Sequence, residues 1–248
     1  MTRSTVEVEA ALALRTVGLS VRMIADSLEI PRQTVSDWIA GRVPRSSGGV
    51  EECGSCGHAP HDFGRLPLTY VYLLGLYLGD GSIATHHRGV YKLRLSLDPA
   101  YPRIIDEAGR AVSTVLPRNK VNERWHPGDA VEVYSYSKSW PCLFPQHGPG
   151  KKHNRRIVLT EWQVRLVRGA PEFLLRGLIH SDGCRFMNTG RGWRYPRYSF
   201  RNFSPDIRMI FTKACDLLGP RWTTSVNVVY VSRKADVDRM DQFVGPKA

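Results

Sequence analysis

The chain has 248 residues, 42% hydrophobic and 23% charged, and its 35 Lys and Arg against 23 Asp and Glu leave a formal net charge of +12. That length holds one large domain plus a small one, and the composition excludes a disordered or low-complexity chain. The positive excess favours a polyanion, nucleic acid before an anionic membrane, and no apolar run approaches the ~20 residues needed to span a bilayer.

Residues 1–10 lack the apolar stretch of a secretory signal, so a cytoplasmic location is expected. The five cysteines are odd in number, and apart from Cys53 and Cys56 they are scattered singly, which argues against a disulfide framework. Residues 1–43 are expected to form a small all-α domain. Val6, Ala10, Ala13, Leu14 and Val17 recur at helical spacing before Gly18. Ser20 is the expected N-cap of a second helix over 21–28, with Ile24, Ala25 and Leu28 on one face. Glu29-Ile30-Pro31 forms a short turn, with Pro31 expected at the first helical position of a third helix over 32–40 that Gly41 closes. The segment 18–42 resembles the helix-turn-helix of regulators and recombinases, whose second helix lies in the major groove. The resemblance implies that Arg32, Gln33, Thr34 and Ser36 face bases or phosphates while Val35, Trp38 and Ile39 are buried.

Residues 44–66 read as a linker. Its Pro/Gly/Ser stretch is followed by Cys53 and Cys56, a C-x-x-C pair, with His58 and His61 close behind. Those four side chains supply zinc-compatible ligands, and a structural Zn²⁺ clip with no open catalytic position is expected there.

The rest of the chain carries one pattern twice. Gly75, Gly79, Asp80 and Gly81 in the first copy match Gly177, Ser181, Asp182 and Gly183 in the second. Each copy continues with a strand-like alternation, residues 91–97 and 197–201, then a helix start at Asp98-Pro99 and at Ser204-Pro205. Later strands are expected over 131–137 and 226–232. Small residues four apart put a stripe on each helix that lets two backbones pack closely. Such packing brings Asp80 and Asp182 together, and the glycine after each is expected in the left-handed position past the last turn. An aspartate at a helix C-terminus opposes the macrodipole, so both copies call for a compensating cation. Two adjacent carboxylates make a site for Mg²⁺ or Mn²⁺, which activates water for phosphodiester hydrolysis.

On these motifs, residues 70–248 resemble the LAGLIDADG homing endonucleases of the two-motif monomeric type. The resemblance implies an α+β fold: duplicated αββαββα halves, 67–146 and 170–248, about a pseudo-two-fold axis, with saddle-shaped antiparallel sheets in the major groove. It implies Asp80 and Asp182 as catalytic metal ligands, with Lys138 and Arg233 beside the reacting phosphate. It also implies Lys92, Arg94, Ser96, Arg197, Ser199 and Arg201 on the DNA-facing strands. Between the halves, 147–169 is a basic linker whose Lys151, Lys152 and Arg155 are expected to track phosphates. The partner is thus double-stranded DNA, bound by a monomer with internal symmetry. Two readings stay open. One is a Mg²⁺-dependent site-specific endonuclease, and the other is a transcriptional regulator on a non-cleaving scaffold of the same fold.

Overall fold

The computed structural model describes residues 5–42, 53, 56–57, 61–126 and 130–247. The chain divides into two units, Met1–Glu51 and Glu52–Ala248.

The first unit packs α1 (Thr5–Thr16), α2 (Val21–Leu28) and α3 (Arg32–Ile39) around Val8, Ala11, Ile24, Ala25, Ile30, Val35 and Trp38. The Ser20 hydroxyl accepts from the Met23 amide at 3.3 Å, and α2 ends on Glu29 in a left-handed conformation, φ 52°. Pro31 stands one residue before α3, as its N-cap, not in its first turn. The buried face of α1 also differs from the expected one. The helix stops at Thr16, Val17 is 77% exposed beyond it, and Val8 and Ala11 point inward.

The second unit contains two halves with the same element order. The first runs α4 (Thr69–Asp80), β1 (Gly81–Thr85), β2 (Tyr91–Leu97), α5 (Pro102–Val115), β3 (Val121–His126), β4 (Ala130–Ser137) and α6 (Trp140–Leu143). After α7 (Glu161–Gly169) the second runs α8 (Pro171–Asp182), β5 (Gly183–Gly190), β6 (Trp193–Arg201), α9 (Pro205–Leu218), β7 (Thr223–Ser225), β8 (Val228–Val231) and α10 (Lys234–Val244). Both sheets are four-stranded and antiparallel, ordered β1-β2-β4-β3 and β5-β6-β8-β7. This is the duplicated αββαββα arrangement in an α+β protein. Among the described residues no helix is long and apolar enough to cross a membrane.

The small-residue stripes are where α4 and α8 meet. A Cβ on Gly75 would lie 2.7 Å from the Leu174 carbonyl oxygen and 2.8 Å from Gly177 Cα, so only glycine admits this approach. Nearly all of α4 is buried, which explains why its apolar residues run around the helix and not along one face.

Several local expectations are corrected. The first-copy helix does not start at Asp98-Pro99. The Asp98 carboxylate accepts from the Ala100 amide at 2.8 Å, a local turn, and α5 begins at the second proline, Pro102. Gly81 and Gly183 have φ −84° and −108°, so neither is left-handed. They are required by crowding: a Cβ on Gly81 would lie 2.8 Å from the Tyr77 ring, and one on Gly183 2.7 Å from Ile179 Cα. The last strand is shorter than the span 226–232, because Asn227 adopts φ 60° in the turn before β8.

Candidate functional site

Each motif helix ends on its aspartate and passes directly into the first strand of its half. Asp182 Oδ2 accepts from Asn202 Nδ2 at 2.6 Å, and a Cβ on Gly79 would lie 3.0 Å from that oxygen. The glycine stripe thus sets the two helix ends side by side. Burial and then the neighbouring Asp182 charge push the Asp80 carboxyl up to about 7, against the opposing charges of Lys152 and Lys247. Burial also raises Asp182, while its hydrogen bond from Asn202 and the charges of Lys152 and Lys247 pull the other way.

Both cations come from segments that follow the last strand of a half. Lys152 Nζ donates to the carbonyl oxygens of Tyr77, Gly79 and Gly81 at 2.5, 2.6 and 2.8 Å. Three acceptors saturate an ammonium, so this side chain caps α4 and neutralises the negative end of its dipole. Burial lowers the Lys152 amine to about 8, opposed by Asp182 and Asp80. Lys247 donates to the Ser181 carbonyl at 3.3 Å, the corresponding end of α8. Lys152 was expected on the phosphate path; its ammonium is turned inward instead. Lys138 lies exposed in the turn after β4, and Arg233 lies exposed as the N-cap of α10, so the charges acting on the acids are those of Lys152 and Lys247. One signal pointed to this pair: Pro149-Gly150-Lys151-Lys152 and Gly245-Pro246-Lys247 occupy matching places in the two copies.

Strand alternation and register put the expected strand residues on one face of each sheet. In the first, Lys92, Arg94 and Ser96 stand opposite Tyr136, Tyr134 and Glu132, with Leu93, Leu95 and Leu97 buried beneath. Glu132 draws in Lys92 at 3.4 Å, Arg94 at 3.2 Å and His126 at 3.6 Å. In the second, Ser199 faces Tyr230 and Arg201 faces Val228. Arg197 stacks 4.0 Å over the Tyr230 ring and donates to Ser232 at 2.7 Å. A cleft of about 1050 Å³ runs between β1, the inter-half segment and the end of β6, and its lining includes His147, Lys152, Arg155, Asp182 and Arg201. Among the described residues Arg155 Nε and Nη1 are buried without a hydrogen-bond partner, and Lys151 is exposed nearby.

In the first unit Arg32 and Gln33 are exposed and Thr34 and Ser36 partly so, on the early turns of α3, while Val35 and Trp38 are buried. Gln33 donates to Asp37 at 3.2 Å.

Of the four expected zinc ligands, Cys53, Cys56 and His61 converge, and His58 lies outside the described residues. The cluster is joined by Cys142 of α6, which spacing rules could not reach because it lies 89 positions from Cys53.

No family model and no curated protein matches the sequence. The chain is similar to a solved structure of mesophilic variants of the homing endonuclease I-DmoI, with a TM-score of 0.47 and 14% identity over 72% of this chain and 96% of that one. It is similar to the LAGLIDADG meganuclease I-AabMI bound to uncleaved DNA, with a TM-score of 0.45 and 11% identity over 70% and 82%. It is also similar to full-length WhiA from Thermatoga maritima, with a TM-score of 0.44 and 16% identity over 74% of this chain and 59% of that one.

Proposed function

We propose that the chain is a sequence-specific double-stranded DNA-binding protein that hydrolyses DNA phosphodiesters with a divalent cation. The observation that carries this reading is the acid pair, one carboxylate from each half, held at the ends of two helices that only glycine allows to approach so closely. Half-buried like charges cost stability unless a cation relieves them, and two carboxylate donors suit Mg²⁺ or Mn²⁺. Asp80 and Asp182 would hold that ion, which when bound polarises a phosphate and lowers the pKa of a water. Asn202 fixes the Asp182 carboxylate by donating to one of its oxygens. Lys152 and Lys247 anchor the helix ends and supply positive potential beside the acids. Arg155 and Arg201 line the cleft as phosphate contacts, and the basic and aromatic sheet faces read the groove. In this reading α3 contributes further recognition through Arg32, Gln33, Thr34 and Ser36.

A second reading, a regulator that binds without cutting, is favoured by the same two lysines. They already meet part of the demand for positive charge that the acids and helix dipoles create. The separating experiment recovers genomic fragments bound by the protein and incubates them with it and Mg²⁺ or Mn²⁺. Cleavage that falls at least 100-fold in Asp80→Asn and Asp182→Asn, with binding retained, is the expected result. Tight binding with intact DNA in both metals assigns the regulator.

A further inference from the structure

The cysteine cluster at the start of the second unit is not used by the proposed DNA chemistry. Cys53 and Cys56 are brought together by a tight turn: the Cys53 carbonyl accepts from the amides of Cys56 at 3.1 Å and Gly57 at 2.8 Å, and Gly57 takes φ +66°. The His61 ring is oriented by a stack on Phe63, which itself stacks at 4.2 Å on Trp162. Cys142 arrives from α6, whose first turn bonds Cys142 N to the Ser139 carbonyl at 3.1 Å. The four ligand atoms all lie within 4.8 Å of one another.

Two of these separations are close to those of a tetrahedral site. With Zn–S bonds of about 2.3 Å, two thiolates on one tetrahedral ion stand about 3.7 Å apart. Cys53 Sγ and Cys142 Sγ are 3.7 Å apart. A thiolate and an imidazole on the same ion stand about 3.5 Å apart by the same geometry, and Cys56 Sγ and His61 Nε2 are at 3.2 Å. None of the five cysteines forms a disulfide, and 3.7 Å is far beyond the ~2.05 Å of an S–S bond. Three soft sulfurs and one imidazole select Zn²⁺ over Mg²⁺, and four protein ligands leave no open position for substrate.

We propose that Cys53, Cys56, His61 and Cys142 form a structural Zn²⁺ site that clips the start of the second unit to α6, with Cys142, not His58, as the fourth ligand. The site is independent of the acid pair, so failure of the DNA-cleavage reading leaves it untouched. On binding, each thiol that becomes a ligand releases its proton.

The test is the zinc content of the purified full chain, followed by replacement of zinc with Co²⁺. One zinc per chain is expected, together with the visible d–d bands of tetrahedral Co²⁺ and a thiolate-to-cobalt charge-transfer band of the strength given by three sulfurs. His58→Ala should keep the zinc, whereas Cys142→Ala should lose most of it. The cobalt spectrum of the unmodified chain gives the sulfur count even if Cys142→Ala fails to fold. Protein that neither carries nor takes up metal overturns the proposal. So does a two-sulfur spectrum, or zinc that survives Cys142→Ala and is lost in His58→Ala.

Discussion

Glu132 is the acid on the basic face of the first sheet, 9% exposed, with Lys92, Arg94 and His126 turned toward it. Burial alone would raise its carboxyl; the charges of Lys92 and Arg94, the hydrogen bond from Lys92 and the charge of His126 outweigh that and hold it below the usual glutamate range. A depressed carboxylate contributes stability above its unfolded pKa of about 4.3 and loses it as pH falls through that value toward the folded one. Glu132→Gln should therefore cost about 1–2 kcal/mol at pH 7, discounted because Arg94 is 46% exposed. The gap from the parent protein should close below about pH 4, where the glutamate protonates as well. Urea midpoints of both proteins from pH 7 to pH 3 measure this, and a gap that stays constant across the range contradicts it. The substitution also frees two cations on the proposed DNA face, so affinity for DNA should rise several-fold in the same variant.

At the level of elements, glycine has opposite meanings in two helices, and stability measurements separate them. Gly75 in α4 would place a Cβ 2.7–2.8 Å from backbone atoms of α8 that have no soft way to yield, so Gly75→Ala should destabilise by about 3 kcal/mol. Gly109 in α5 has nothing within 4 Å of its Cβ position, and Gly109→Ala should stabilise by up to about 1 kcal/mol through helix propensity. Equal denaturant midpoints for the two variants would contradict the close packing of α4 on α8. The α4–α8 pairing was legible because small residues four apart have one economical use in a buried helix, and the repeat showed it twice. The strand faces were legible because alternation in residues 91–97 is a period-2 signal. Other features were not. The short β7, with three exposed residues, carries no alternation to detect, and α7 lies in a stretch that reads as basic linker. The start of α5 was misplaced because Asp98-Pro99 and Pro102 offer two start signals within one turn, and only the structure reveals which amide the Asp98 carboxylate accepts from. The inward role of Lys152, which the sequence places on the phosphate path, and the part of Cys142 in the cysteine cluster share one reason for escaping notice: their partners are 71–75 and 89 residues away, beyond what spacing rules reach.

On the scale of the whole molecule, the charge of +12 is unevenly committed. Lys152 is spent on helix carbonyls, Arg185 on Asp241 at 2.7 and 2.8 Å, and Arg176 on Glu107 at 2.9 Å. These cations stabilise the fold and have little left for a polyanion. Arg201, by contrast, is exposed at the end of β6, lines the cleft and faces Val228 across the ladder, with no carboxylate within ion-pair distance among the described residues. If the cleft and sheet faces hold DNA, each arginine on a phosphate releases condensed counterions, and log K falls linearly with log salt. Affinity for a recovered target should then drop at least about 1000-fold between 50 and 200 mM salt, on the order of what six or more phosphate contacts give. Arg201→Ala should reduce the steepness of that dependence by about one unit and weaken specific and non-specific DNA alike, the signature of a phosphate contact. Arg185→Ala removes the same formal charge from a side chain committed to Asp241, and should leave the slope unchanged. Binding isotherms of the three proteins over that salt range decide the matter: identical slopes for Arg201→Ala and the parent would remove the cleft from the DNA-binding surface.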